Sequence, residues 1–251
     1  MIKGLYAAAS AMLANLTRQG VLAHNISNLD TPGFKQILVS LDDFIEVPVI
    51  SPPGPTADLR QLRQIGHLGL GVESSPEETD FTSGALKLTG QPLDLAIQGT
   101  GFFRVQTPGG ERYTRDGRFT RDLEGNLVTV DGYFVLNDAG QPINLPEGSI
   151  SVGVDGSIYV DGENVDQLGL ASFADPANEL ERDLPNTFTS AGAPTGEELG
   201  TVNQGYLEMS NASPAELMTT MVAVTRAYEA AQKMVQVQDE LLGKAISSLG
   251  G

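Results

Sequence analysis

The sequence predicts an α+β chain: long N- and C-terminal helices forming a coiled-coil-like layer, with an antiparallel all-β domain inserted between them. Three observations carry this reading. Apolar residues recur at steps of three and four at both ends of the chain; turn dipeptides recur about every ten residues through the middle; a proline-rich stretch separates the first helix from the β-rich middle. The expected divisions are 1–35, an axial helix and its closing Asn/Gly turn; 36–82, an extended connector; 83–210, the β-rich body; and 211–251, a second axial helix.

The first helix rests on Ile2, Leu5, Ala9, Met12, Leu16, Ala23 and Ile26, a heptad-like series interrupted only by Gln19. It spans about 25 residues, or roughly 38 Å at the rise of an α-helix. Ala7, Ala8, Ala9 and Ala11 are small enough to let a second helix approach closely. "MIKGLYAAASAML" has one early Lys and an Ala9-Ser10-Ala11 that resembles a cleavage site, but the amphipathic pattern runs straight through that point. The segment therefore reads as a retained helix and not as a leader.

"NISNLDTPGFK" closes this helix. Asn25 and Asn28 tolerate left-handed backbone and can bond a frayed helix end, Pro32-Gly33 turns the chain, and Phe34 is the apolar anchor. Residues 36 to 83 then alternate short apolar runs with "VPVISPPGPT" and "ESSPEETD", the composition of an extended or loosely structured connector.

The β body begins with "LDLAIQGTGFFRV". Turns follow at "TPGG", "RDG", "LEGN", "VDG", "NDAG" and "PEG", with short runs such as "NLVTV", "YFVLN" and "SIYV" between them. This spacing argues for an antiparallel sandwich or barrel-like body. "FADPANELERDLPNTFTSAGAPTGEELG" is irregular and is expected to loop over it.

The C-terminal helix starts at Ser213-Pro214-Ala215-Glu216, where Ser213 can cap, Pro214 suits the first turn and Glu216 completes a capping box. Its stripe reads Leu217, Met221, Val224, Tyr228, Ala231, Val235, Gln238, Leu242, Ala245, Leu249, and only Gln238 is polar. At about 35 residues it would extend some 50 Å. Two seams of unequal length cannot satisfy each other, and the excess apolar surface points to self-assembly.

Composition removes several chemistries. With 32 acidic against 15 basic residues and a net charge of -17, association with nucleic acid or an anionic membrane surface is opposed by long-range repulsion. The absence of Cys excludes a disulfide framework, a thiolate nucleophile and a Cys-ligated metal. No apolar run reaches the roughly 18 residues a membrane span needs. His24 and His67 have no ligand partner at helical spacing. Gly99-Thr100-Gly101 precedes a strand and not the helix a phosphate loop requires. The Asp161–Asp166 run carries oxygen ligands without calcium-loop spacing. No catalytic, metal or cofactor-binding residue is assigned, and the chain is expected not to be an enzyme.

Three stretches together carry a family resemblance. "NISNLDTPGFK" resembles an Asn-x-x-Asn-x-x-Thr-x-Gly-Phe-Lys signature; "GQPLDLAIQGTGFFRV" with "YTRDGRFTRDLEGNLVTVDGYFVL" resembles a central segment; and "VNQGYLEMSN", "RAYE" and "QK" resemble a C-terminal pattern. In this order they resemble the rod and hook family of bacterial flagellar axial proteins. Ala231, where members often have Asn, and Ala212-Ser213 depart from the pattern and blur the subtype between distal-rod and proximal "F" forms.

The resemblance implies a structural subunit of the flagellar basal-body rod. It would be exported through the flagellar type III apparatus without signal cleavage and polymerise helically, with other rod and hook proteins as neighbours. The helical ends are expected to order on assembly. A hook-type subunit, a non-flagellar oligomeric β-domain binding module and a secreted hydrolase are the alternatives. The absence of Trp argues against a glycan platform. Subunit-interface roles are expected at Leu5, Ala9, Met12 and Leu16, facing Leu217, Met221, Val224, Tyr228, Val235 and Leu242 within a subunit or across to neighbours. Asn25, Asn28, Gly33 and Phe34 form the joint, with Phe34 docking under a neighbour.

Overall fold

The computed structural model describes residues 2–43, 46–50, 64–184, 186–196 and 199–249. Helix α1 is Ile2–Ser27, a one-turn helix α2 is Pro176–Glu179, and helix α3 is Pro214–Leu249. Among the described residues, everything else regular is strand. Two compact units divide the chain: one takes residues 1–24, 37–78 and 214–251, the other 25–36 and 79–213.

In the first unit, α1 and α3 run for 26 and 36 residues without an internal proline. Gly4, near the start of α1, meets Gln238, near the end of α3, where a Cβ on the glycine would lie 3.4 Å from the Gln238 amide nitrogen. Among the described residues no helix is long and apolar enough to cross a membrane. The described parts of residues 37–78 include strands that pair. Leu41–Asp43 lies antiparallel to Val72–Ser74, and Glu46–Ile50 to Gln64–Gly69. Ser10 Oγ on α1 accepts the Val72 N–H at 3.2 Å. The end of the proline-rich break, residues 51–56, lies outside the described residues.

The second unit is the β body. Its main sheet runs, in spatial order, Phe119–Arg121, Leu127–Thr129, Phe134–Val135, Phe102–Thr107, Gly110–Thr114, Thr187–Ser190 and Leu180–Leu184, with Leu170–Ala171 also on Phe102–Thr107. The pairings are antiparallel, and the sheet does not close into a barrel. Ile150–Val152, Ser157–Val160 and Glu163–Gln167 make a separate three-stranded meander.

Phe102–Thr107 organises the interior because alternate side chains leave opposite faces of a strand. Phe103 and Val105 enter a cluster with Leu95, Ile97, Phe119 and Leu127. Phe102 points the other way, into a second cluster with Tyr113, Phe173, Leu180 and Phe188. Edge-on ring pairs fix both: Phe103 against Phe119 at 5.1 Å, and Tyr113 against Phe173 at 4.9 Å.

One stretch departs from expectation. Much of "FADPANELERDLPNTFTS" is not loop: residues 180–184 and 187–190 form the edge of the main sheet. Leu180 and Phe188 are buried in the second cluster, and Phe188 pairs with Tyr113. An apolar anchor on either side of the turn suffices, even though charged residues break the alternation between them.

Replacing Phe103, fully buried in the larger cluster, by Ala should lower unfolding free energy by about 3–5 kcal/mol, read by denaturant unfolding followed through near-UV circular dichroism.

Candidate functional site

The "NISNLDTPGFK" segment lies inside the β body, and its geometry begins with the turn. As α1 ends, Asn28 and Leu29 donate backbone N–H bonds to the carbonyls of Asn25 and Ile26, and Thr31 donates to Asn28 O. The Thr31 hydroxyl bonds Asn28 Oδ1 at 3.1 Å. Gly33 then takes φ +69, where only glycine is unstrained. A Cβ there would stand 2.4 Å from the Arg115 carbonyl carbon, so the site demands glycine for space as well. Its N–H donates to Glu208 O at 2.7 Å.

Beyond the turn, Phe34 and Lys35 are buried. The Arg182 guanidinium lies 5.0 Å over the Phe34 ring and 5.2 Å over Phe188, and donates to Lys35 O at 2.7 Å. Asn186 Nδ2 donates to Pro32 O at 2.8 Å. Lys35 Nζ donates to Glu208 Oε1 at 2.6 Å and to Thr82 O at 2.7 Å. Glu208 Oε1 also accepts the Gly84 N–H, while its Oε2 accepts from Arg115 at 3.1 Å. Arg115 continues to the carbonyls of Ile97 and Gly99.

One carboxylate thus joins two cations, all three side chains at least 96% buried. Burial lowers the Lys35 ammonium below the ordinary lysine value, against the opposing pull of Glu208. Burial lowers the Arg115 guanidinium likewise. Charges removed from water at this cost are held only because each is hydrogen-bonded to a partner of fixed position.

A polar rim surrounds the ion cluster. Asn211 Oδ1 accepts the Gln36 N–H, and its amide donates to Asp80 O and to the Thr82 hydroxyl. Asp80 accepts from Gln36 Nε2 and Thr82 N–H. Burial pushes the Asp80 carboxyl up, but the bonds from Thr82 and Gln36 outweigh it and hold the group below its ordinary value. The result is a clasp of three chain segments: 33–36, 80–84 and 208–211.

The expected interface residues fall into different settings. On α3, Leu217 and Val224 are buried while Met221, Tyr228, Val235 and Leu242 are half-buried, so the stripe is the least exposed row of that helix. On α1, Leu5 and Met12 are half-buried, Ala9 and Leu16 are exposed, and the buried residues are Ala8, Ala14, Asn15, Val21 and, in the last turn, Asn25. Asn25, Gly33 and Phe34 are buried within their own chain, and Asn28 is half-buried. The clasp residues Glu208, Arg115, Arg182, Asp80 and Asn211 were not singled out from sequence. The signal for them in the sequence was Lys35 itself, set directly behind the apolar Phe34 in "TPGFK".

The clasp has no nucleophile–base pair, and among the described residues no three His, Asp or Glu side chains converge as a metal-ligand set. Asp161 occupies a turn at φ +54, its carboxylate taken by the Ser149 N–H. Gly99 and Gly101 turn the chain between strands at φ +103 and +124.

Lys35 and Glu208, the two ends of the central ion pair, both fall in regions shared with known proteins. Residues 5–35 match the family model described as "Flagella basal body rod protein", 96–160 the "Flagellar hook protein FlgE/F/G D1 domain", and 203–248 the "Flagellar basal body rod FlgEFG protein C-terminal". The chain is 34% identical to the flagellar basal-body rod protein FlgG of Bacillus subtilis, covering 98% of this chain and 99% of that protein. The chain belongs to the flagellar basal-body rod protein family. This rod protein is also 35% identical to FlgG of Borreliella burgdorferi, over 98% of both chains. It is 36% identical to the rod protein FlgF of Rhizobium meliloti, over 100% of this chain and 99% of that one. It is a structural subunit of the flagellar basal body and not an enzyme.

Glu208→Gln leaves two buried cations without their counter-charge and should cost this rod protein about 3–5 kcal/mol in chemical unfolding. Gly33→Ala should cost at least about 2 kcal/mol in the same measurement, from left-handed strain plus the backbone clash. The Asp80 contribution is complete above the ordinary carboxylate value and is lost as pH falls through the lower folded value. Melting temperature should therefore fall more steeply below about pH 4 in the parent than in Asp80→Asn.

Proposed function

We propose that the chain polymerises helically through its terminal helices into the shaft that links motor to hook. The helices form an inner coiled-coil-like layer, with the β body outside it. The observation that carries this reading is the mismatch of the two helices: α3 has 36 residues against 26 in α1, with Leu242 and Ala245 still on its half-buried row. An apolar row longer than its intrachain partner is completed by other copies. Leu5, Ala9, Met12 and Leu16 work with Leu217, Met221, Val224, Tyr228, Val235 and Leu242 in that layer. Asn25, Asn28, Gly33 and Phe34 serve it from beneath by fixing the path of the chain leaving α1.

The neighbours in this reading are other copies of the chain and other rod and hook proteins, reached after export through the flagellar type III apparatus. Tyr6, Leu13 and Leu16 on α1 and Met234 and Leu241 on α3 are exposed. Burial by the chain alone is thin against the entropy of ordering two helices of 26 and 36 residues, so they gain most of their order on assembly. Far-UV circular dichroism of the monomer should show clearly less helix than those two elements contain, and full helicity would sink this part of the proposal.

Residues 25–36 belong to the β body, so the deletion that tests assembly must spare them. A chain lacking residues 2–22, or lacking residues after 216, should keep the cooperative unfolding of the β body yet be absent from isolated basal bodies and fail to support motility. Normal rods built from either truncated chain would overturn the reading.

A further inference from the structure

Beside the clasp the β body holds a cavity of about 290 Å³, close to the ~300 Å³ at which small-molecule sites begin. It lies wholly within residues 79–213, inside one compact unit. Three rings and a proline wall it: Phe81, Phe102, Phe173 and Pro176. The rings stand edge to face, Phe81 against Phe102 at 5.8 Å and Phe102 against Phe173 at 6.0 Å. Phe102 and Phe173 are buried and form the floor. Thr82, Ser83 and Thr100, which also line the cavity, are exposed and form its mouth.

One member of the lining is foreign to an apolar cavity. The Arg115 guanidinium, only 4% exposed, forms part of the wall. Its Nη1 donates to Ile97 O and Glu208 Oε2, and its Nη2 to Gly99 O. Nε is buried as well, yet makes no hydrogen bond among the described residues. The guanidinium is a planar fork in which Nε–H shares an edge with Nη2. Nη2 reaches Gly99, itself a lining residue, so the unfilled donor stands on the side of the cavity. Glu208 is the carboxylate that acts on Arg115, and Lys35 shares it.

We propose that this cavity binds a small aromatic carboxylic acid, its carboxylate accepting the Arg115 Nε–H and its ring packed among Phe81, Phe102 and Phe173. Charge selects the anion, because a carboxylate on the open edge of a guanidinium makes a charge-assisted bond in an apolar setting. The walls select an aromatic stem, since a further ring meets the same edge-on contacts that the three make with one another. No protein side chain joins a ring to a carboxylate, so the occupant is a free acid and not a segment of a neighbouring chain. The volume sets its size at one ring with a short acidic arm, as in phenylacetate. The same guanidinium holds Glu208, so a bound acid also braces the clasp. The site does not depend on polymerisation, and either can fail without the other.

Proton–nitrogen correlation spectra of the full chain test it, with the Arg115 Nε–H and the amides of Gly99 and Gly101 as reporters in the cavity wall. Phenylacetate should shift these signals with a Kd of about 1 mM, the affinity that roughly ten non-hydrogen atoms support. Phenylacetamide, of the same shape without the charge, should bind at least about tenfold more weakly. Ser83 is exposed, so Ser83→Asp keeps the fold. It sets a tethered carboxylate at the mouth and should weaken phenylacetate binding about tenfold. Equal binding of acid and amide takes away the role of the guanidinium and overturns the proposal. So does an absence of shifts at saturating excess, which leaves the cavity to water alone. Unchanged phenylacetate affinity in Ser83→Asp puts the acid elsewhere on the chain and overturns it too.

Discussion

A single carboxylate, that of Glu208, decides how the β body closes. It neutralises Lys35 from the segment after α1 and Arg115 from the turn that follows Gly110–Thr114, and binds the Gly84 N–H, while its own main chain receives Gly33. No apolar replacement offers the three directed bonds that this carboxylate makes to Lys35, Arg115 and Gly84. Buried ion clusters add little net stability over a well-packed apolar core. What this one supplies is exclusivity of register, because a slip of one residue in any partner leaves a charge unmatched in a dry interior.

That constraint explains the position of the two aromatic clusters. Phe102–Thr107 divides them, and Arg115 lies 5.0 Å over Phe102 at the boundary. Arg182 bridges Phe34 and Phe188 in the same manner. The two guanidiniums therefore stand between ionic and aromatic layers, with their planar faces on rings and their edges on carbonyls. Lysine at either place would keep the charge and lose the stacking.

The helices and the β body were legible to different depths. The α3 row was readable residue by residue, because large apolar side chains there alternate with charged ones and the 3.6-residue period stands out. The α1 row was not. Ala7, Ala8, Ala9, Ala11 and Ala14 place small apolar residues on every side of the helix, and periodicity cannot choose among them. Ala8, Ala14 and Val21 turn inward while Ala9 and Leu16 stay outside. In the β body the turn residues located hairpins well, but residues 180–190 were hidden by their charges. The clasp was hidden for another reason: its partners are separated by up to 175 residues, as Gln36 is from Asn211, and no local pattern records such a pairing.

The four places where the chain passes between the two compact units are after residues 24, 36, 78 and 213. Three of them lie within a few residues of the clasp, at Gln36, Asp80 and Asn211, and those three residues are hydrogen-bonded to one another. A force applied along any one connecting strand is therefore divided among its neighbours before it reaches the aromatic interior. Bonds arranged in parallel yield together or not at all, whereas bonds strained one after another peel apart. In this rod protein the "TPGFK" turn is one of the three strands so tied together.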